Sequence, residues 1–217
     1  MGTEVIFIII IIIISVVIHE VSHGFVADML GDPTARLQGR LSLNPTKHLD
    51  PVGSFVVPLV AYALAGFAIG WAKPVPYNPY NLKAGKWGPA IVAAAGPASN
   101  FLIAIIFGLI IRFTGGSFSQ SFIDLSVLVV LYNVLLAVFN LVPVPPLDGS
   151  KILFALLPYH LRGVAEFMQR NSLLLVLFVI FFSILSGKNL TRNFMFIIKA
   201  SRSRMEFWRM PLVLMHL

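Results

Sequence analysis

Residues 13–30 read IISVVIHEVSHGFVADML and place two histidines, a glutamate and an aspartate at the end of a strongly apolar run. The run starts near Val5, and Ser15 is its single polar residue before His19. At 1.5 Å per helical residue, residues 5–18 cover roughly 21 Å of a hydrocarbon core about 30 Å thick. His19 is therefore expected inside the membrane, toward one end of a spanning helix.

The composition of the whole chain is typical of an integral membrane protein. Of its 217 residues, 58% are hydrophobic and 12% are charged, whereas roughly 25% are charged in a soluble domain. Apolar runs at about 4–24, 52–70, 89–111, 122–142 and 172–186 reach or approach the ~20 residues that span a bilayer. We therefore predict an all-α polytopic membrane protein with about four to five transmembrane helices.

The distribution of charge limits the partners that the chain can have, and the lack of cysteine limits its covalent cross-links and metal sites. The net charge is +7, but the 16 Lys and Arg residues all lie outside the apolar runs and indicate topology. We therefore expect the lipid bilayer as a partner and no nucleic acid. The chain has no cysteine, which excludes disulfides and thiolate metal sites.

The sequence HEVSH at residues 19–23 is an H-E-x-x-H pattern. His19 and His23 are four residues apart and share one helix face, where two imidazoles can bind zinc while Glu20 acts as general base toward water. The pattern could also arise by chance and serve packing. Ionisable residues in a spanning helix cost a few kcal/mol each, however, so three together favour a metal site.

A catalytic zinc needs a third protein ligand and leaves one position open. Without cysteine, the candidates are the remaining histidines and carboxylates, and the best is Asp148 in FNLVPVPPLDGSKIL at residues 139–153. The prolines at 143, 145 and 146 interrupt a helix at membrane depth, where irregular backbone is tolerated if it is buried in protein or lines a cavity. Alternatively, Asp148 caps the next helix in an ordinary loop.

Five stretches in this order complete a family pattern: HEVSH at 19–23, GDPTARLQGRLSLNPTKHLDPVGS at 31–54, GWAKPVPYNP at 70–79, AAGPASN at 94–100 and NLVPVPPLDG at 140–149. Together they resemble the site-2 protease family of intramembrane zinc metalloproteases, in the short prokaryotic form without accessory domains. The resemblance covers residues 5–186. It implies a protease core at 1–186, followed by a basic tail at 187–217 that does not fit the family pattern.

The resemblance also implies roles for single residues. One Zn²⁺ per chain would be held by His19, His23 and Asp148, with Glu20 as the base that activates water. Asn140 would bind substrate or stabilise the oxyanion. Asn100 would lie near the site and contact substrate, or else make a hydrogen bond between helices.

The distribution of basic residues predicts the orientation. If one metal joins HEVSH to Asp148, the ends of the first helix and of the 122–142 helix lie on the same side. The loops on that side carry most of the Lys and Arg residues, and the opposite side carries Arg112. The metal side is therefore expected to be cytoplasmic, in a multi-pass protein of a prokaryotic plasma membrane. Residues 52–70 then have both flanks in the cytoplasm, which predicts a re-entrant or surface-lying segment rather than a full span.

The proline-rich sequence AKPVPYNPYNL at residues 72–82 favours extended backbone. Such a segment could bind an unwound substrate by strand addition, or it could be an ordinary loop. Val75, Tyr77 and Pro145 are accordingly candidate substrate-binding residues.

The predicted function is therefore intramembrane proteolysis. A zinc metalloprotease of this type would hydrolyse transmembrane or signal-peptide-like segments of membrane proteins near the cytoplasmic face. Two alternatives stay open, a zinc or proton transporter and a non-catalytic membrane scaffold, although the repeated halves common in transporters are missing from the sequence.

Overall fold

The computed structural model describes residues 2–56, 59–60, 63, 72–113, 118–172, 174–175 and 178. Within these ranges all regular elements are helical and no strand occurs. The α-helices are α1 Gly2–Met29, α2 Thr34–Leu37, α3 Gly88–Phe113, α4 Gln120–Asn140, α5 Asp148–Leu156 and α6 Arg162–Arg170. Short 3₁₀ turns lie at Pro45–His48, Pro79–Asn81, Gly85–Trp87 and Tyr159–Leu161, and a π-helical turn at Val52–Val56.

Three of the described helices are long and apolar enough to cross a membrane. They are Ile6–Met29, Gly85–Phe113 and Gln120–Asn140. They match three of the five apolar runs found in the sequence, so the predicted all-α membrane fold is confirmed. The run at 52–70 lies mostly outside the described residues, as do the run at 172–186 and the whole of the tail.

Residues 1–169 form one compact unit and residues 170–217 a second. All elements of the candidate site belong to the first unit. In the second, the structure describes residues 170–172, 174–175 and 178.

α3 is the central helix of the first unit and packs against α1, α4 and α5. Its buried side chains are mainly small, which lets helices approach closely where lipid gives no hydrophobic driving force between them. They include Ala90, Ala93, Gly96, Pro97 and Ala104.

A buried polar contact joins α1 to α4 near the middle of both helices. Asn133 Nδ2 donates to Ser15 Oγ at 2.9 Å and to the Val129 carbonyl at 2.9 Å. Both side chains are buried, so the hydrogen bonds of Asn133 Nδ2 and Ser15 Oγ replace contacts with water, whereas Asn133 Oδ1 has no partner among the described residues. The contact fixes the axial position of α1 relative to α4.

The segment at residues 72–82 is extended at first and runs beside the last turns of α1. Its backbone amide at Lys73 donates to the His48 carbonyl, and the amide of Lys83, the next residue after the segment, donates to the Leu30 carbonyl. Its amide at Asn78 donates to Asp32 Oδ2 at 2.6 Å. The segment is therefore tied to the body of the protein along its length.

Arg40 and a small apolar cluster hold the same segment from two directions. The Arg40 guanidinium is buried and donates to the carbonyls of Lys73 and Pro74. Tyr77 packs against the buried cluster of Ala27, Leu82 and Val92.

Candidate metal centre

His19, His23 and Asp148 meet in the buried space between α1, α3 and α5. His19 and His23 lie one turn apart on α1, and Asp148 is the first residue of α5, 129 positions after His19. Asp148 Oδ2 lies 3.1 Å from Nε2 of each histidine. All three side chains are buried.

Hydrogen bonds on the far side of each ring orient the two imidazoles. His19 Nδ1 donates to Asn100 Oδ1 at 3.0 Å, and His23 Nδ1 donates to the Val92 carbonyl at 2.7 Å. Because these oxygens accept, each Nδ1 carries the proton, and in a neutral ring Nε2 holds a lone pair. Three electron-pair donors then converge in a buried space, which suits a positive charge between them, either a metal cation or a proton shared by an imidazole and the carboxylate.

The distances between the three donor atoms fit a tetrahedral ion. Bonds of 2.0–2.2 Å to nitrogen and carboxylate oxygen put neighbouring tetrahedral ligands about 3.4 Å apart. The two observed Nε2 to Oδ2 distances are 3.1 Å. One ligand atom each from His19, Glu20 and His23 also lies within 4.8 Å of the others, so these three residues could hold a metal ion.

Gly96 on α3 provides the space in which the two rings meet. A Cβ atom at this position would lie 2.5 Å from His19 Nε2 and 2.5 Å from His23 Nε2, closer than side-chain carbons approach other atoms. A glycine is therefore needed where α3 passes the two imidazoles.

Pro97 follows Gly96 in α3 and affects the backbone that His23 uses. It has no N–H to donate to the Ala93 carbonyl, so the helical hydrogen bonding is broken one residue after Val92, whose carbonyl accepts from His23.

The turns before α5 position Asp148. Residues 141–147 are not helical, as the three prolines predict. Gly149 packs so tightly on this turn that a Cβ atom would collide with the Leu141 and Val142 carbonyls. Asp148 is the first residue of α5 and faces the histidines. The N-cap position belongs to Leu147 and no side-chain cap hydrogen bond is made, so the alternative in which Asp148 caps the helix does not hold. Lys151 Nζ contacts the second carboxylate oxygen, Oδ1, at 3.3 Å.

Glu20 lies beside the cluster and is only partly buried. Its Oε2 accepts a hydrogen bond from the Val75 backbone amide at 2.9 Å. The extended segment therefore orients the carboxylate next to His19.

The remaining predicted residues lie at varying distances from this cluster. Asn100 is fully buried behind His19, where its oxygen contacts the ring; its Nδ2 has no partner among the described residues. Asn140 ends α4, and its Nδ2 donates to the Leu136 carbonyl of the same helix at 2.9 Å. Pro145 is buried in the turns before α5. Within the described part of the chain, no hydrogen bond joins Asn140 to the cluster.

Sequence reasoning missed three contributors to this geometry. Gly96 belongs to the GPASN motif, and its spacing of four from Asn100 could have placed it on the same face of α3. Lys151 lies three residues after Asp148, a spacing that brings charges together on a helix. The Val92 carbonyl has no sequence signal, because every residue carries one.

Comparisons with known proteins match the chain to one family and to several relatives. A family model described as "Peptidase family M50" matches residues 7–121 and 109–186. The chain is 37% identical over 183 residues to "Putative zinc metalloprotease YwhC" of Bacillus subtilis, a match that covers 81% of this chain and 80% of that protein.

Two further relatives are named "Putative zinc metalloprotease Rip2". The one from Mycolicibacterium smegmatis is 32% identical over 76% of this chain and 63% of its own length. The one from Mycobacterium tuberculosis H37Rv is 28% identical over 69% of this chain and 55% of its own length. The chain thus spans less than two thirds of each Rip2 protein. No solved structure matches it.

Proposed function

We propose that this chain, which belongs to peptidase family M50, uses one zinc ion to hydrolyse peptide bonds inside transmembrane or signal-peptide-like segments of membrane proteins. Its class as a membrane metallopeptidase follows from the family and from the three apolar helices. Zinc as the metal is supported by the names of the relatives. The substrate segments, the side of the membrane and the residue roles are our proposal.

The observation that carries the proposal is the convergence of three buried donor atoms, with the two histidines backed by acceptors on α3. His19, His23 and Asp148 are the proposed zinc ligands. Zinc, when bound, supplies a Lewis acid that activates water near neutral pH and polarises the scissile carbonyl. Three protein ligands leave one position open, as hydrolysis requires.

Glu20 is the proposed general base. The Val75 amide holds Oε2 at 2.9 Å, which orients the carboxylate beside the ligands. Glu20 takes a proton from the attacking water and delivers it to the nitrogen of the leaving amine. Asn140 is proposed to donate to the oxyanion through the second hydrogen of Nδ2, since the first is donated to the Leu136 carbonyl.

The substrate must be extended at the cleaved bond, because a helix shields its own carbonyls. The segment at 72–82 lies next to Glu20 and is the proposed substrate edge, with Val75 and Tyr77 as contacts and Pro145 across the site. Residues 73–76 of this edge have no free N–H group, because the amides of Lys73 and Val75 are already used and Pro74 and Pro76 have none. The Lys73 and Pro74 carbonyls already accept from Arg40. A bound strand would therefore donate its own amides to the other carbonyls of the segment.

The cytoplasmic position of the site is proposed from the charge pattern. The segments around the HEVSH end of α1 and around α5 carry most of the basic residues, whereas Arg112 ends α3 on the opposite side. Basic residues near the ends of membrane spans are retained in the cytoplasm. The products would then be released toward that compartment.

A Glu20→Gln variant tests the proposal. The full-length protein, purified in detergent, is assayed for zinc content and for cleavage of a single-pass membrane substrate. Because the amide cannot take a proton, we expect cleavage to fall by about 10²–10⁴-fold while zinc stays bound. Asp148→Ala is expected to lose zinc and cleavage together.

Glu166→Gln is the matched control, since it makes the same change at an exposed carboxylate of α6. It should retain zinc and cleavage. Zinc-free wild type, or a Glu20→Gln variant that cleaves like wild type, would contradict the proposal. Metal flux into vesicles without any proteolysis would favour a transporter.

A further inference from the structure

The two carboxylate oxygens of Asp148 have different environments. Oδ2 faces the two imidazoles at 3.1 Å, whereas Oδ1 lies 3.3 Å from Lys151 Nζ. The side chain of Asp148 is 8% exposed and that of Lys151 is 36% exposed. The ammonium group thus approaches the buried carboxylate from the solvent side and occupies the oxygen that does not face the histidines.

We propose that Lys151 is a positioning residue that keeps Asp148 Oδ1 away from the metal, so that the carboxylate binds through Oδ2 alone. The inference rests on the proposed function, because it concerns the same metal site. It adds a residue that decides how many positions around the ion stay open for water and substrate.

The physical reason is competition for one oxygen. A carboxylate can bind a metal through one oxygen or through both, and the second mode would fill a position that catalysis needs. Lys151 offers three donors and a full positive charge, and hydrogen bonds between charged groups are about twice as strong as neutral ones. Because Asp148 and Lys151 are three residues apart in α5, they lie on the same face of the helix, which places the ammonium group within reach of Oδ1.

Tyr77 holds the ammonium group from the other side. Lys151 Nζ lies 5.8 Å from the centre of the Tyr77 ring, within the range of about 6 Å for a cation–π contact. The ring is itself fixed by packing against Ala27, Leu82 and Val92. Lys151 therefore links the extended segment at 72–82 to the third ligand.

A plain surface ion pair is the competing explanation, and such pairs contribute about 0–1 kcal/mol. It predicts no effect on coordination, since removal of an exposed charge would change stability slightly and leave the ligands as they were. A measurement of coordination number therefore separates the two explanations, whereas activity alone would not.

The test replaces zinc by cobalt(II) in the full-length protein in detergent micelles and records its visible absorption. Four-coordinate cobalt(II) absorbs visible light much more strongly than five-coordinate cobalt(II). We expect strong bands from wild type and from Lys151→Arg, which retains the charge. Lys151→Met, of similar length but uncharged, should bind cobalt with a several-fold loss of molar absorption.

Lys86→Met is the matched control, because the exposed Lys86 also has its ammonium over an aromatic ring, 5.1 Å from the centre of the Trp87 ring. Its spectrum should equal that of wild type. Identical spectra of wild type and Lys151→Met would overturn the inference. If Lys151→Met fails to fold, Lys151→Ala replaces it, with the same expected loss of molar absorption. A wild type that binds no cobalt or zinc would instead overturn the proposed function.

Discussion

Replacement of Gly96 by alanine should weaken metal binding far more than the same change elsewhere on the same helix. The added Cβ atom would lie 2.5 Å from Nε2 of both His19 and His23, whereas ordinary van der Waals contact begins at 3.4 Å. To relieve the contact, both rings would have to move away by 0.9 Å, the difference between 2.5 and 3.4 Å, and their hydrogen bonds oppose this movement. His19 is hydrogen-bonded to the Asn100 side chain, and His23 is hydrogen-bonded to the Val92 carbonyl.

The size of the effect follows from two costs. Overpacking of a tight interior costs about 1–3 kcal/mol, and loss of one orienting hydrogen bond about 1 kcal/mol more. The sum of roughly 2–4 kcal/mol corresponds to metal binding about 30- to 700-fold weaker, at 1.4 kcal/mol for each factor of ten. Titration with zinc in competition with a chelator of known affinity measures this factor.

Gly108→Ala is the control, because Gly108 lies on the same helix and nothing lies within 4 Å of its Cβ position. Both variants gain the helix preference of alanine, about 0.5–1 kcal/mol. Their difference therefore isolates the contact with the histidines. If both variants bind zinc equally tightly, Gly96 does not shape the site and the reasoning is wrong.

Two further predictions concern Asn100, which lies behind His19, and Asp32, which lies in the turn after α1. Asn100→Leu leaves the buried His19 Nδ1–H without an acceptor and should weaken zinc binding by about 10- to 100-fold, as measured by the same titration, whereas Asn100→Asp should retain most of the affinity. For Asp32, burial raises the pKa, but hydrogen bonds from Thr34, Asn81 and Asn78 outweigh it and hold the pKa below 3.8. Its stabilisation is therefore complete above pH 3.8 and is lost as the pH falls through the lower folded value. Thermal unfolding between neutral and acid pH should show this loss in wild type, and an equal loss in Asp32→Asn would contradict it.

The sequence predicted much of the fold because lipid imposes a strong pattern. Three apolar runs correspond to three helices within about five residues at each end, and the family recognised from the motifs is confirmed. The HEVSH spacing fixed which face of α1 carries both histidines. Asp148 was predicted to meet them because the prolines before it require a break in the helix.

Contacts made by the backbone could not be predicted in this way. The Val75 amide on Glu20 and the Val92 carbonyl on His23 use groups that every residue carries, so their positions depend on how α3 and the extended segment pack. Ser15 was visible as the polar exception in an apolar run, but its partner Asn133 was not. A hydrogen bond between helices depends on their relative axial shift, which composition alone does not fix.

The prolines of the segment at 72–82 have a consequence for substrate choice. Since residues 73–76 have no free N–H group, the substrate must be the donor in every backbone hydrogen bond that it makes with these residues. A proline or an N-methylated residue opposite these residues has no N–H to donate, so one hydrogen bond would be lost. The same residue a few positions away would help to unwind the substrate helix without that loss. Helix-breaking residues in natural targets are therefore expected to flank the docked stretch rather than to lie within it.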